Sequence, residues 1–536
     1  TDQEKSARRL NAVLLPEEII HVRLNSCQRT VDYHMISEDD DTNVDQTLKM
    51  IDDMTGGSVW YTQRRLCQRN VTIHCYASNA EAEILIDAKD KEDLKVVLVD
   101  EVRDAVYEQL YEYPLYTNRK MFVGQKNDTM TLLIAGCGKA GSEFLKAAVW
   151  CGQMLSAKLM IHVIDLEGDK IQDRLEAECP ELLSRERGYR IFIHKGDILG
   201  SRSLSDIEGI GQADYCVAAL GDDELTIRAA VRMRRHFCTG TGRKDPFICA
   251  YVKSTVKKMA VWELSETTRN KMKRSYDIVP FGCGGAYYGN ESDTAFILEY
   301  LGLGVQSHYF RLNRESDAES RRYAVQNFYE KQVNRRSSIA SGLHICTKLW
   351  EMGYGILHVP KNGKMLECYH KCINPVNFSE VWSTLKENEH KAFYNLEHER
   401  WMAYIRTEGW KLASNGGTDL ASIRACYEAY CSEFKNQNYL TKMHPALVPI
   451  KNDDPSIATL QQVDKMIVQV NREKGLGAYY PDYVQSDAEL VDHIGEIVSG
   501  AWCGPEGIQI AGTLAKEGIC VICTLEDIRR YKEEQL

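Results

Sequence analysis

The stretch Thr131-Leu-Leu-Ile-Ala-Gly-Cys-Gly-Lys-Ala-Gly141 decides the fold of the central part of this chain. A short apolar run predicts a strand, and three glycines spaced as G-x-G-x-x-G follow it directly. A helical pattern comes next, and a second apolar run, 159–164, ends on Asp165. Strand, glycine turn, helix, strand and terminal acid together are typical of a Rossmann-type dinucleotide-binding unit.

Each residue of the glycine turn has a physical reason to be there. Gly136 allows a tight turn, Gly138 lets the backbone approach a pyrophosphate, and Gly141 lets the helix pack closely on the strand. The main-chain N–H groups at the helix start, around Lys139-Ala140, and the helix dipole favour a bound anion. Asp165 is suited to a ribose diol and would repel a 2′-phosphate. The predicted cofactor is NAD or another adenosine nucleotide, and the alternative is a Rossmann fold whose pocket no longer binds anything.

Strands and helices continue to alternate up to residue 252. Gly196-Asp197 and Gly221-Asp222 each come at the end of a predicted strand, 189–194 and 215–220. Because the carboxyl ends of parallel strands meet at one edge of a sheet, we expect these residues to share one pocket with the glycine turn. The remaining predicted elements of this segment are helices near 204–207 and over 225–235, and a strand over 247–252.

Composition limits the classes of function. The chain has 536 residues, a net charge of −11, and 44% hydrophobic and 27% charged residues, as in an ordinary globular protein. The negative charge argues against nucleic acid as the main partner. No run approaches the ~18 apolar residues of a membrane span, and no signal peptide is visible. Eighteen scattered cysteines fit a reducing cytoplasm. The chain begins at Thr1, so the sequence leaves open an upstream membrane segment.

Patterning predicts an α/β protein with five segments. A degenerate α/β lobe comes first, then a parallel-sheet Rossmann-type domain, a mainly helical connector, a helical module and a C-terminal extension. In the first lobe the strand-like runs are 19–24, 71–76 and 94–99, and the helical ones are 44–54, 80–88 and 102–110. The segment bounds are 1–124, 125–290, 291–385, 386–470 and 471–536.

Three local motifs do not support a metal or redox site. Asp39-x-Asp41-x-Asn43-x-Asp45 imitates an EF-hand start but lacks its glycine and its glutamate, so we expect an acidic surface loop. Cys368-Tyr-His370-Lys-Cys372 has no second cluster at zinc-like spacing, and buried structural thiols are the preferred interpretation of it and of Cys520-Val-Ile-Cys523. Cys137 lies near a helix start, which can lower the pKa of a thiol.

Residues 131–252 resemble the RCK, or Trk-type, NAD-binding domain that regulates potassium channels and transporters. The resemblance rests on the glycine turn and on Gly196-Asp197, Leu204, Gly209-Ile210, Ala213-Asp214 and Asp222-Asp223-Glu224-Leu225-Thr226-Ile227. Thr226 departs from the family's usual Asn. The resemblance implies that Lys139 lies near the phosphates, Asp165 at the ribose and Asp197 near the adenine. It also implies a homo-oligomer that acts on a membrane channel or transporter.

Residues 386–470 resemble the ryanodine-receptor-type (RyR) domain, a module that also occurs with RCK-like domains in bacterial proteins. The matching residues are Leu396-Glu-His398-Glu-Arg400-Trp401, Gly409-Trp410, Lys442-x-His444-Pro445-x-Leu447-Val448-Pro449 and Asp464. Trp401 and Trp410 could stack on a planar ligand, while Arg400 could pair with an anion and His398 shares a helix face with Trp401. The alternative is that the tryptophans are core residues and Arg400 is a structural ion pair.

These observations favour a non-catalytic, cytoplasmic sensor, including one bound at the inner face of a membrane. A nucleotide at the glycine turn would bias the arrangement of two α/β lobes, and the RyR-like module would report or receive the signal. A bacterial antiviral or stress effector that responds to a nucleotide second messenger is a related alternative. An NAD-dependent oxidoreductase is the rival class, but no Tyr-x-x-x-Lys pair follows the fourth strand, and His162 and His194 look structural.

Overall fold

A computed structural model describes most of the chain. The described ranges are 30–37, 39–55, 70–92, 94–119, 128–183, 188–200, 204–239, 245–270, 277–282, 293–311, 317–360, 364–434, 441–476, 482–500 and 518–535. The predicted strand over 19–24 lies outside them. Within these ranges, no helix is both long enough and apolar enough to cross a bilayer.

The first lobe is a small parallel sheet with helices, as predicted. Its strands are β1 (Thr30–Met35), β2 (Asn70–Tyr76) and β3 (Lys95–Val99), paired in that order. Its helices are α1 (Asp40–Thr55), α2 (Ala80–Ala88) and α3 (Glu101–Glu112). The expected acidic loop at 39–45 is wrong, because α1 begins there. The Asp39 carboxylate accepts a hydrogen bond from the Thr42 N–H at 3.0 Å, and acids at a helix start favour the helix dipole.

The central domain is a six-stranded parallel sheet, which confirms the predicted fold class. The spatial order of its strands is β6-β5-β4-β7-β8-β9, the 3-2-1-4-5-6 order of doubly wound dinucleotide-binding folds. The strands are β4 (Asp128–Ala135), β5 (Ala157–Asp165), β6 (Tyr189–Lys195), β7 (Tyr215–Ala218), β8 (Phe247–Tyr251) and β9 (Val279–Phe281). The order in which the strands are added therefore reverses between β4 and β7, beside the glycine turn, although the two strands run parallel.

Helices cover both faces of this sheet because successive side chains of each strand point to opposite faces and both sets are apolar. Leu132 and Ile134 of β4 belong to one apolar core, and Leu133 and Ala135 belong to the other. The helices are α4 (Lys139–Cys151), α5 (Gly168–Glu178), α6 (Asp223–Thr239) and α7 (Thr255–Asn270). The first two contribute to the first core and the last two to the second. The helix expected at 204–207 is wrong, since turns and a short 3₁₀ segment, Ile210–Gln212, occupy that crossover.

The rest of the chain is mainly helical and forms one connected body. Its helices are α8 (Asp293–Arg311), α9 (Asp317–Glu330), α10 (Gln332–Glu351), α11 (Lys364–Cys372), α12 (Phe378–Ser383), α13 (Glu387–Thr407), α14 (Leu420–Phe434), α15 (Leu460–Glu473), α16 (Tyr483–Asp492), α17 (Ile494–Ser499) and α18 (Leu525–Gln535). Its strands are β10 (Tyr354–Pro360), β11 (Lys411–Leu412), β12 (Met443–His444) and β13 (Gly518–Thr524). Strands β10 and β13 pair antiparallel, so the C-terminal segment is built into the connector rather than appended to it.

Helix α4 lies at the junction of all these parts. Its Trp150 ring meets Tyr107 of α3 edge-on at 5.3 Å and Tyr404 of α13 at 5.9 Å between centroids. Its Glu143 carboxylate lies 3.1 Å from Arg103 of α3, and Arg103 also approaches Glu408 at 3.8 Å. The helix that begins at the glycine turn therefore touches both the first lobe and the RyR-like segment.

Candidate functional site

The glycine turn joins β4 to α4 at the carboxyl edge of the sheet. Gly136 has φ +85°, and a Cβ there would lie 2.4 Å from the carbonyl oxygen of Ala219. A Cβ on Gly141 would lie 2.0 Å from the carbonyl oxygen of Gly136. Both positions therefore require glycine for close packing of the turn on β7 and on its own helix.

Gly138 differs from the other two glycines because it faces open space. It caps α4 with no side-chain hydrogen bond, and no heavy atom of the described residues lies within 4 Å of a Cβ built there. Gly138 and Lys139 are exposed, while Ala140 is 9% exposed. The first N–H groups of α4 are thus presented at an accessible surface, as anion binding at a helix start requires.

Asp165 holds the glycine turn in place. One of its carboxylate oxygens accepts from the Cys137 N–H at 2.8 Å, and the other accepts from the Glu167 N–H at 2.9 Å. Each carboxylate oxygen has a second lone pair, so a ribose hydroxyl can still donate to it. Asp165 is therefore positioned both to shape the turn and to contact a sugar beside it.

Cys137 lies inside the turn, where the protein shields its thiol from solvent. Its side chain is fully buried, and burial raises the pKa of the thiol, which outweighs the hydrogen bond from Ser142 and the charge of Arg174. The expectation of a lowered pKa is wrong for this reason. Arg174 of α5 donates a hydrogen bond to the Cys137 carbonyl oxygen at 2.7 Å and so helps to fix the turn.

The other predicted strand-end residues also lie at the carboxyl edge. Exposed Asp197 follows β6, and its carboxylate accepts from the Leu199 N–H at 2.8 Å. Gly221 has φ +86° and faces open space among the described residues, and Asp222 starts α6 by accepting from the Leu225 N–H at 2.9 Å. The Thr226 hydroxyl accepts a hydrogen bond from the Leu220 N–H at 3.0 Å.

A residue of the first lobe reaches the glycine turn, which the sequence did not predict. The Lys139 ammonium donates to the Ser78 hydroxyl, which follows β2. The Ser78 hydroxyl and N–H in turn donate to the Asp40 carboxylate at 2.9 and 2.8 Å. This series of hydrogen bonds depends on a contact between residues 61 positions apart, and no local sequence motif predicts it. The edge of the first sheet therefore faces the predicted phosphate position.

In the RyR-like segment, His398 is enclosed. It is 1% exposed, with Nδ1 2.9 Å from the Asp487 carboxylate and Nε2 2.8 Å from the Val448 carbonyl oxygen. Both ring nitrogens are engaged within the protein. This placement favours a structural role for His398 over ligand contact.

Arg400 lies in a buried ion network. It donates to Glu397 at 2.8 Å, and Lys348 of α10 reaches the same carboxylate at 2.6 Å. Burial alone would raise the pKa of Glu397, but Arg400 and Lys348 hold it well below its ordinary value. Arg400 is 1% exposed, which favours the structural ion pair over the anion contact. Its Nη1 is buried, with no hydrogen-bond partner in the described part of the chain.

The aromatic residues of this segment form a cluster around His444. Trp401 and Tyr483 are nearly parallel, 6.3 Å apart with 23° between their planes, and His444 meets them edge-on at 5.0 and 5.5 Å. Trp410 approaches His444 at 6.1 Å but is 8% exposed, so it is largely core. Trp401 and Tyr483 are half-buried. The sequence indicated Trp401 and missed Tyr483, which lies 82 positions away.

Asp464 of α15 adjoins this cluster, and its burial disfavours the charged form of the carboxyl. Burial raises the pKa of its carboxyl to about 7, and Asp482 nearby adds to the shift, although a hydrogen bond from the Tyr483 backbone opposes it. Its Oδ1 is buried without a hydrogen-bond partner among the described residues. A buried carboxylate held at a cost to stability beside aromatic rings marks a candidate binding position.

Comparison of the chain with family models finds no match, and comparison with curated proteins finds none.

Proposed function

We propose that this chain is a nucleotide-sensing regulatory protein that binds NAD(H) or another adenosine nucleotide at the glycine turn. The signal would pass to a channel, a transporter or another effector partner, as the RCK-like motifs imply. The proposed nucleotide contacts are the N–H groups of residues 138–141, the Lys139 ammonium and the Asp165 carboxylate, with Asp197 and Gly221-Asp222 along the same edge.

The observation that carries this proposal is the contrast within one turn. Gly136 and Gly141 are closed in by backbone, whereas Gly138 is open and leaves the start of α4 uncapped. Packing accounts for the first two glycines but not for the third. A phosphate approaching the backbone accounts for the third.

The position of α4 supports sensing rather than simple storage of a nucleotide. A ligand at its first turn would contact the helix that pairs with Arg103 of the first lobe and packs against Tyr404 of α13. Lys139 would exchange its bond with Ser78 for one with phosphate, and this exchange would change the contact between the lobes. Such differential contacts are what a ligand needs to shift a conformational equilibrium.

The exposed apolar surface of α7 supports assembly into a homo-oligomer. Val256 is 80% exposed, Met259 54% and Trp262 37%, all on one helix. Contiguous exposed apolar side chains of this kind favour a protein contact. We infer that α7 contributes to the interface between copies of this chain.

A second ligand position lies at the aromatic cluster of Trp401, His444 and Tyr483. Its rings offer stacking surfaces, and Asp464 offers a carboxylate to a planar group with N–H donors or a positive charge. We propose this cluster, rather than Arg400, as the ligand site of the RyR-like segment.

The test is a thermal-shift series on the purified chain with NAD, NADH, ATP, ADP and ADP-ribose. A nucleotide that binds only the folded state adds ~2.7 kcal/mol at a hundredfold excess over its dissociation constant, so a shift will be measurable. Gly138→Asp should abolish it, because a carboxylate then occupies the phosphate position. Thr459→Asp adds the same charge at the start of α15 and should leave the shift unchanged.

Three results would count against the proposal. A shift of equal size in Gly138→Asp would place the nucleotide elsewhere, and no shift with any of the five nucleotides would leave the turn a structural feature. Hydride transfer to any substrate, measured as a change in NADH absorbance, would favour the oxidoreductase instead.

A further inference from the structure

Two histidines and a glutamate meet where α8 packs against the corner between α16 and α17. His308 belongs to α8, His493 joins α16 to α17, and Glu496 lies one helical turn further on. One ligand atom from each lies within 4.8 Å of the others. Neither the sequence motifs nor the proposed nucleotide site uses these residues.

Each carboxylate oxygen of Glu496 approaches one of the two imidazoles. Its Oε2 is 3.8 Å from His308 Nε2, and its Oε1 is 4.0 Å from His493 Nε2. The rings face each other with centroids 4.8 Å apart and 24° between their planes. Tetrahedral zinc, with bonds of about 2.0–2.2 Å, places its donors about 3.3 Å apart. Closing the two carboxylate–imidazole distances to that value needs shifts of about 0.5–0.7 Å, which side-chain rotations of the half-buried His493 and Glu496 can supply.

His493 is already oriented as a metal ligand would be. Its Nδ1 lies 2.8 Å from the Glu489 carbonyl oxygen, which can only accept, so Nδ1 carries the proton. Nε2, the nitrogen left to bind an ion, lies toward Glu496. A backbone carbonyl that fixes the tautomer in this way is a regular feature of metal-bound histidines.

The burial of the three residues is graded from inside to outside. The His308 side chain is 2% exposed, His493 27% and Glu496 42%. An ion could enter from the solvent past Glu496 and be backed by the buried imidazole. The exposed side would keep a fourth position for water.

We propose that His308, His493 and Glu496 form a binding site for a divalent transition-metal ion of the zinc class. Two imidazoles and one carboxylate suit Zn²⁺ better than Mg²⁺ or Ca²⁺, which prefer oxygen ligands alone. The ion fastens α8 to the α16–α17 corner. This inference does not depend on nucleotide binding at the glycine turn.

Equilibrium dialysis of the full chain against Zn²⁺, after removal of metals with a chelator, tests the site. We expect one equivalent bound by nitrogen and oxygen donors, a higher Tm with zinc, and, with Co²⁺, visible absorption without sulfur charge-transfer bands. His493→Gln and Glu496→Gln should each weaken binding by at least about tenfold. Both side chains are half-buried, so the metal-free Tm should change little.

Two matched controls separate this site from the rest of the chain. His370→Gln removes an exposed histidine that belongs to neither candidate metal cluster of the described residues. Cys368→Ser with Cys372→Ser removes the second candidate cluster, in which the sulfurs lie 3.7 and 3.1 Å from Glu534. Zinc binding should persist in both controls.

Three results would overturn the proposal. They are no bound zinc in the unsubstituted chain, full binding in both His493→Gln and Glu496→Gln, and loss of the bound zinc in the cysteine variant alone.

Discussion

The three glycines of the turn lie within six consecutive residues, and each is glycine for a different physical reason. At Gly136 the reasons are a positive φ and a neighbouring strand, and at Gly141 the reason is the carbonyl of Gly136 itself. At Gly138 the described protein imposes neither constraint. The open position is therefore the one that a ligand would explain.

Gly136→Ala should destabilise the fold by roughly 2–4 kcal/mol, because a side chain there is strained at positive φ and collides with Ala219. Gly138→Ala should lower the free energy of unfolding by at most about 1 kcal/mol, the usual cost of alanine at a helix N-cap. Urea unfolding followed by circular dichroism measures both. Equal losses in the two variants would contradict the assignment of Gly138 as the ligand-facing glycine.

The sequence predicted where Asp165 lies but not what it does for the turn. Its position at the end of β5 follows from the strand pattern, whereas its bonds to the Cys137 and Glu167 N–H groups depend on the exact path of the backbone. Similarly, a motif cannot distinguish an exposed arginine from a buried one. Arg400 is buried where α13 packs against α10, and it shares the Glu397 carboxylate with Lys348, 52 positions away.

At the scale of elements, the ion network of Lys348, Glu397 and Arg400 joins α10 to α13 without access to water. All three side chains are at most 1% exposed. One carboxylate serves two cations, so the network depends on it more than on either partner. Buried charges that lose their partner are costly.

Glu397→Gln should therefore lower the free energy of unfolding by about 3–5 kcal/mol, since it leaves two buried cations unpaired. Chemical denaturation provides the measurement. Glu387→Gln, which removes an exposed partner of Lys391 on the same helix, should have no measurable effect. A small loss in Glu397→Gln would mean that water reaches the network.

Asp464 should make stability depend on pH in a direction opposite to an ordinary aspartate. Its folded pKa of about 7 lies above its ordinary value of 3.8, so the folded state holds a proton that the unfolded chain has released. This carboxyl costs nothing below about pH 4, and its cost grows until about pH 7. Asp464→Asn should therefore raise Tm at pH 8 and leave it unchanged near pH 4.

Asp453→Asn removes an exposed carboxyl nearby and should leave Tm unchanged at both pH values. If Asp464→Asn lowers Tm at pH 8, the carboxylate has a favourable partner, and the argument for a binding position beside Tyr483 fails.

Sequence periodicity predicted most elements and failed where local pattern and tertiary context differ. The first-lobe helices and the parallel strands follow from apolar spacing. The crossover at 204–212 carries apolar residues at helical spacing, but glycine at φ +79° on Gly209 breaks the helix. Strand β9 is only three residues long, too short for a pattern, and exists because β8 offers it an edge.

At the scale of the whole molecule, the described part of α7 leaves an apolar surface that no other described element covers. The double substitution Val256→Glu with Met259→Glu should raise the dissociation constant of a homo-oligomer by at least about tenfold, because two charges would be buried at the interface. Sedimentation equilibrium gives the dissociation constant. Thr267→Glu, at an exposed polar position of α7, is the control. An oligomer equally tight in the double variant would place the interface elsewhere.

The sequence pattern could not predict how the parts of the molecule pack around α4. Each part has its own pattern, but the bonds between them, such as Lys139 to Ser78 and Arg103 to Glu143, join residues far apart in the chain. The sensor hypothesis depends on these contacts. It requires that a ligand bound at the start of α4 change the structure or stability of both the first lobe and α13.

Amide hydrogen exchange on the full chain, with and without the nucleotide identified by thermal shift, tests this claim most directly. We predict slower exchange at residues 136–142 together with altered exchange in α13 and near Ser78, and no such change in Gly138→Asp. Protection confined to the glycine turn, or the same changes in Gly138→Asp, would contradict the account.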